Sequence, residues 1–429
     1  MNAPVPHDIP LPLPAAEVFL KCLLVFSFIA HILFVNLMVG GAILTLFYEW
    51  KGRSEEIFDD LARFIAQTVT VNKSLAVVLG VAPLLLINVL YTVWFYAANA
   101  LTGIAWILVI PLVASAFLLT YLHKYSWERM RKQKALHMAI LALAICIFLF
   151  IPLVFLTNIN LMLFPDKWTE VRGFLSALNL PSVFSRYFHF LAASLAVTGL
   201  FLVGLFNTKW IESWPKLFER KRDLQKEFYR ISLIVSLGQF IIGPTVLFTL
   251  PRVGWSALLF WALGFGIVFA IAAIILMTKE LNDKEVGRRL YPIAGLLTVT
   301  ILCMASARHF YRDAALAAHK EAVQKKTAEY QALVEQAKSE AMAAEAALAG
   351  DSAAKARQLA QACMACHGLE KRVVGPPWRE IQKLYKDNPS GIVAWAKAPG
   401  KKRSDYPQMP PMALPDEDLK IIAEYVLKL

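Results

Sequence analysis

Eight apolar stretches alternate with short polar segments as far as residue 307. They fall at about 17–48, 71–98, 102–122, 136–158, 182–206, 229–250, 256–277 and 289–307, and a membrane-crossing helix needs roughly 20 apolar residues. Beyond Arg308 the pattern changes. From Asp313 to Leu348, Ala, Lys, Glu and Gln dominate, and neither Pro nor Gly occurs. That segment predicts one long helix with a weak apolar stripe, reaching on the order of 50 Å if straight. Gly350 is placed to end it, and Asp351 or Ser352 to cap the next helix. The pattern therefore predicts an all-α protein. An eight-helix transmembrane bundle occupies residues 1–312, a helical stalk 313–350, and a small all-α domain 351–429.

Composition agrees with this division. Of the 429 residues, 58% are hydrophobic and only 18% charged, the profile of a polytopic membrane protein with a soluble appendage. The net charge of +12 does not point to nucleic acid, because the basic residues cluster in short loops. Lys51, Arg53 and Arg63 lie in 49–70, Lys124, Arg129, Arg131, Lys132 and Lys134 in 123–135, Lys209, Lys216, Arg220, Lys221, Arg222 and Lys226 in 207–228, and Lys279, Lys284 and Arg288 in 278–288. The alternate loops are poor in Lys and Arg. The bias predicts that the rich loops are cytoplasmic and that residues beyond 307 lie outside. The first sixteen residues hold no Lys or Arg, so the first apolar run is expected to be a span rather than a cleaved signal peptide. Cys22, Cys146 and Cys303 stand alone in apolar runs and are expected to be small core residues.

Cys363-Met364-Ala365-Cys366-His367 is a C-x-x-C-H motif. Two thiols at this spacing add to the vinyl groups of one haem while the adjacent His367 presents its imidazole to the iron. A zinc half-site would want a second Cys or His pair, which does not follow. A redox dithiol would want a βαβ frame, whereas these surroundings read as helical. Gly375-Pro376-Pro377 comes next, then Gln408-Met409-Pro410-Pro411 and a helix from about Asp416 to Leu427. These landmarks resemble the small bacterial class I cytochromes c. The resemblance implies that Met409 is the sixth iron ligand, with Met412 as runner-up, and that Pro376 supports the axial His367. Met364 lies inside the attachment loop and cannot reach the far face. Lys371, Arg372, Lys397, Lys401, Lys402 and Arg403 are candidates for a basic ring around the haem edge, or for an ordinary solvated surface.

Histidine within a bilayer is a functional candidate by default. His31 lies mid-span in the first apolar run, His189 about two turns into the fifth, and His309 at the end of the eighth. All three are expected in the outer half, where each either ligates a haem or makes an interhelical hydrogen bond. His123 and His137, at the cytoplasmic ends of their spans, are expected to face headgroups. The run Ala30-His31-Ile32-Leu33-Phe34-Val35 with Gly40-Gly41 and Tyr48-Glu49 resembles helix 1 of cytochrome bd oxidase subunit I. Arg186-Tyr187-Phe188-His189-Phe190-Leu191-Ala192-Ala193-Ser194 with Thr198-Gly199 resembles its fifth helix. The resemblance implies b-type haem at His31 and at His189. The chain also departs from that family. Trp261-Ala262-Leu263-Gly264-Phe265-Gly266 lacks the Met ligand, and Met304-Ala305-Ser306-Ala307-Arg308 lacks the late Glu ligand, leaving His309 as the nearest substitute. The loop around Pro251-Arg252 is too short for a quinol site.

The expected cofactors are covalent haem c and one or more b-type haems, with iron held by His367, Met409, His31 and His189. The expected function is electron transfer, within an oxidoreductase complex rather than as an autonomous oxidase. The alternatives are a cytochrome c-fed, bd-like oxidase that reduces O2, and a haem-free anchor that displays a cytochrome. The expected partners are the lipid bilayer, a soluble or membrane-bound redox protein outside the cytoplasm, and other membrane subunits. The expected location is multi-pass in the bacterial cytoplasmic membrane, with the C-terminal domain in the periplasm.

Overall fold

The computed structural model describes residues 13–283, 285–350, 352–401 and 403–429. Lys284, Asp351 and Lys402, each given a role above, lie outside them. Two compact units meet between Thr327 and Ala328. The first is built from α1 (Glu17–Lys51), α2 (Glu56–Leu90), α3 (Thr92–Thr102), α4 (Ile104–Tyr125), α5 (Lys134–Leu163), the short α6 (Phe174–Ala177), α7 (Val183–Phe206), the short α8 (Pro215–Glu219), α9 (Lys221–Thr249), α10 (Ala257–Asn282) and the start of α11 (Leu290–Gly350). Among the described residues, eight helices are long and apolar enough to span a membrane: α1, α2, α4, α5, α7, α9, α10 and α11.

Their outward faces carry large apolar side chains such as Phe26, Val78, Ile110, Leu118, Ile241, Phe248 and Trp261, all exposed. In water so extensive an apolar surface would be a liability; in lipid it is the proper solvent contact. Cys22 and Cys146 share this exposed surface, which corrects the expectation that they are core residues. A Cys side chain is apolar enough for either environment.

Polar residues link the helices inside. Asn36 of α1 accepts from Ser194 Oγ of α7 at 3.0 Å through its side chain and from Thr198 Oγ1 at 3.2 Å through its carbonyl. At the Lys- and Arg-rich end, Tyr48, Phe64, Phe206, Phe228 and Met277 form an apolar cluster. At the opposite end a second cluster gathers Tyr91, Trp94, Trp168 and Tyr311, together with Leu316 and Val323 of α11. The first turns of the segment read as a stalk are thus packed on the bundle. There His319, buried, accepts from Trp94 Nε1 at 2.9 Å.

The second unit holds the end of α11, then α12 (Ser352–Met364), α13 (Trp378–Tyr385), α14 (Pro389–Lys397) and α15 (Asp416–Lys428). Its core is Ala360, Trp378, Ile422 and Val426, with Trp378 edge-on to Tyr425 at a centroid distance of 6.1 Å. Gln382 Nε2 donates to the Val426 carbonyl at 2.9 Å, tying α13 to α15.

Candidate functional site

The last turn of α12 carries Cys363. The Cys366 and His367 amides both donate to the Cys363 carbonyl, at 3.1 and 3.0 Å, so the motif leaves the helix as one tight turn. The following loop folds back on it. Val374 N and Gly375 N donate to the Cys366 carbonyl, and Trp378 N to that of Gly368. This return brings the Pro376 carbonyl within 2.7 Å of His367 Nδ1. A carbonyl only accepts, so Nδ1 carries the proton and Nε2 keeps its lone pair for a metal. Gly375 lies against the imidazole so closely that a Cβ there would stand 2.5 Å from His367 Cε1.

Burial, with the neighbouring Cys366, pushes the Cys363 thiol up from its ordinary range, while Cys366 is exposed. Met364, Leu369, Val373 and Val374 stand exposed around the motif, an apolar rim that a porphyrin would cover. Met409 and Met412 are both half-buried in the extended segment between α14 and α15. The Met412 amide is anchored on the Ala396 carbonyl at 2.8 Å. The donor set therefore fits a covalent haem.

Among the described residues of the basic ring, Arg403, Arg372 and Lys397 are engaged. Arg403 grips Asp405 through Nε at 3.0 Å and Nη2 at 2.7 Å, and also pairs with Glu380. That guanidinium holds the Asp405 carboxyl below the usual range. Arg372 donates to the Asp405 carbonyl, and Lys397 pairs with Asp416.

In the bundle, His31 Nδ1 donates to the Ala76 carbonyl of α2 at 2.8 Å. Its ring rests on Gly80, where a Cβ would lie 2.8 Å from Cε1. The Asn36–Ser194 contact sets the relative height of α1 and α7. His31 and His189 each precede it by five residues, so they lie at one level of the bundle. Arg308 of α11 packs on the Phe28 ring of α1 at 5.3 Å, bringing His309 to a similar level. His309 Nε2 is 3.3 Å from Asp313 Oδ2.

Among the described residues, the buried side-chain nitrogens without a hydrogen-bond partner include Nδ1 of His189 and of His309, Nη1 of Arg186 and of Arg312, and Nε1 of Trp255. Arg186 stands one turn before His189, and Arg308 and Arg312 flank His309. Arg312 also lies over the Tyr91 ring at 5.0 Å, but a guanidinium nitrogen left without an acceptor inside a bundle is costly. Imidazoles with unpartnered ring nitrogens beside arginines form a donor set that suits an iron porphyrin with its two carboxylates.

Sequence reasoning missed one cluster. His123 and His137 do not face headgroups. Both are buried and converge on the buried Glu49, with His123 Nε2 at 2.8 Å from Oε2 and His137 Nδ1 at 2.5 Å from Oε1. Lys73, also buried, donates to Thr120 Oγ1 at 2.6 Å and lies over the Tyr121 ring at 3.3 Å. No sequence signal marked the cluster, because Glu49 stands at a helix end, 74 and 88 residues from the two histidines.

A cytochrome c family profile matches residues 353–429. Cytochrome c-551 of Pseudomonas denitrificans is 33% identical over 73 residues, which cover 16% of this chain and 89% of that protein. Among solved structures, the bd oxidase from Geobacillus thermodenitrificans superposes with a TM-score of 0.53, covering 70% of this chain and 86% of that one at 12% identity. At that identity the likeness is one of fold, and it accounts for the helical bundle. The turn at Cys363–His367, the profile and the relative agree on the small domain: the chain is a membrane-bound electron-transfer cytochrome, and through its C-terminal domain it belongs to the cytochrome c family.

Proposed function

We propose that the protein exchanges electrons between a redox partner outside the cytoplasm, a c-type haem on the C-terminal domain and b-type haems in the bundle. Cys363 and Cys366 attach the c haem, His367 and Met409 supply its axial ligands, and Pro376 orients His367. His31 and His189 ligate b-type iron, with His309 as a further candidate. Arg186 and Arg312 pair with haem carboxylates. Bound haem supplies reversible one-electron chemistry at iron. The residues set its position and potential: a carbonyl-bound Nδ1 raises the basicity of the ligating Nε2, and a thioether raises the potential.

The observation that carries this reading is the shared geometry of His367 and His31. Each has Nδ1 on a backbone carbonyl and its ring against a glycine. The pyridine haemochrome spectrum of the purified protein tests it. One c haem and at least one b haem per chain are expected. A c haem alone would make the bundle an anchor. Oxygen uptake driven by a reduced external donor would make the oxidase reading the better one.

The charge bias of the loops supports a periplasmic C-terminal domain in a bacterial inner membrane. Protease added to intact spheroplasts is expected to release a haem-staining fragment. The cut should fall after Thr327, where α11 becomes exposed. Cleavage only after lysis would overturn this topology.

A further inference from the structure

Glu49 at the end of α1, His123 near the end of α4 and His137 near the start of α5 bring together one carboxylate and two imidazoles, all buried. The three ligand atoms lie within 4.8 Å of one another. The imidazoles stack at a centroid distance of 4.0 Å and an interplanar angle of 27°. Trp127 closes the side, edge-on to both rings.

The hydrogen bonds fix the chemistry. His137 Nε2 is 2.7 Å from the His123 carbonyl, and a carbonyl cannot donate, so Nε2 carries the ring proton. In the neutral imidazole the Nδ1 lone pair then points at Glu49 Oε1 from 2.5 Å. Two acceptors at that distance repel each other unless a cation lies between them. His123 Nε2 reaches the other oxygen, Oε2, at 2.8 Å, so two imidazole nitrogens face one carboxylate, and the occupant that competes with a metal ion is a single proton between His137 and Glu49. A carbonyl on the far nitrogen of a histidine is also the usual second partner of a metal-bound imidazole.

We propose that Glu49, His123 and His137 hold a divalent transition-metal ion of the zinc class. Two imidazole nitrogens and one carboxylate oxygen match such an ion, whereas magnesium and calcium want oxygen alone. Bonds of ~2.0–2.1 Å in tetrahedral array separate ligand atoms by ~3.3 Å, so the contacts open by less than about 1 Å on binding. A small cavity lined by Thr45, Thr70, Thr120 and His123 lies beside the His123 ring. Lys134 Nζ pairs closely with Asp59 at 2.5 Å and more distantly with Glu49 Oε1 at 3.6 Å, a separation too long for a hydrogen bond, so both Glu49 oxygens keep lone pairs for the ion. The ion ties together three helix ends that share no sequence neighbourhood.

The test uses the full-length, haem-loaded protein, stripped with a chelator, supplied with Zn(II) and desalted. Zinc is counted against c haem. The wild type is expected to keep about one Zn(II) per chain, and Glu49→Gln at least tenfold less. Zinc-edge X-ray absorption of the wild type should show only nitrogen and oxygen neighbours, with the scattering pattern of two imidazoles. This second readout needs no variant, so a misfolded Glu49→Gln does not weaken the test. Equal zinc in wild type and variant, no zinc retained by folded wild type, or a zinc signal without imidazole overturns the assignment and leaves a shared proton in the site.

Discussion

Met409→Ala is expected to leave the haem covalently attached while lowering its midpoint potential by roughly 0.2–0.3 V, a fraction of the ~0.8 V over which axial ligands set haem potentials. The weak near-infrared band of Met-ligated ferric haem should vanish with it. Cys363, Cys366 and His367 form one turn closed by hydrogen bonds to the Cys363 carbonyl, so attachment and the proximal ligand do not depend on the far side. Met409 lies on the extended segment between α14 and α15, which has fewer constraints. Gln408 Nε2 reaches the Pro399 carbonyl at 3.2 Å, and Tyr406 OH reaches Glu380 Oε2 at 3.3 Å. Met412 sits three residues on, with its amide fixed on Ala396. Loss of the band in Met412→Ala, and its survival in Met409→Ala, would move the ligand to Met412.

The spans and the haem motif were readable for the same reason: each is set by local chemistry. A bilayer dictates the length of an apolar run, and two thioether bonds with an axial imidazole dictate C-x-x-C-H. Features set by distant contacts were not readable. Tyr91 breaks an otherwise continuous apolar run between α2 and α3 without any Pro or Gly beside it. Its buried hydroxyl donates to Asp313 Oδ1 at 3.1 Å, from 222 residues away in sequence. The helix of the second span begins at Glu56, well before its apolar run, because Phe58, Leu61, Phe64 and Ile65 bury an amphipathic face at the Lys- and Arg-rich end. In α11, Leu316, His319 and Val323 fall three and four residues apart. That stripe is visible in the sequence, but its partners Trp94 and Trp168 are not.

The Glu49 cluster was hidden for a further reason. His123 and His137 are 74 and 88 residues from Glu49, and each of the three sits at a helix end among basic residues. Taken singly, every one reads as an interfacial side chain. Only the packing of α1, α4 and α5 shows that they are buried, and burial changes what a carboxylate and two imidazoles can do.

His31→Ala and His189→Ala are each expected to lower the ratio of b to c haem at least severalfold, with covalent haem unchanged as the internal standard. The two histidines should differ in tolerance. His31 is held by the Ala76 carbonyl and by Gly80, so Gly80→Ala should lower the ratio without touching any ligand, by displacing the ring. His189 has a buried Nδ1 with no partner, and a plain interhelical hydrogen-bonding role would have given it one. Arg186→Leu separates ligation from packing. It keeps His189 and removes the unpaired Nη1 one turn away, along with a positive charge that stabilises bound carboxylates. A guanidinium retained only for the fold would be replaced by Leu with a gain in stability and unchanged b haem, since removing an unpaired buried charge is favourable. A guanidinium that pairs with haem carboxylates would instead lose b haem, or shift its potential downward, while the apoprotein became more stable. An unchanged b-to-c ratio in His31→Ala, His189→Ala and Arg186→Leu together would remove haem from the bundle and leave the cytochrome domain as the only redox centre of the chain.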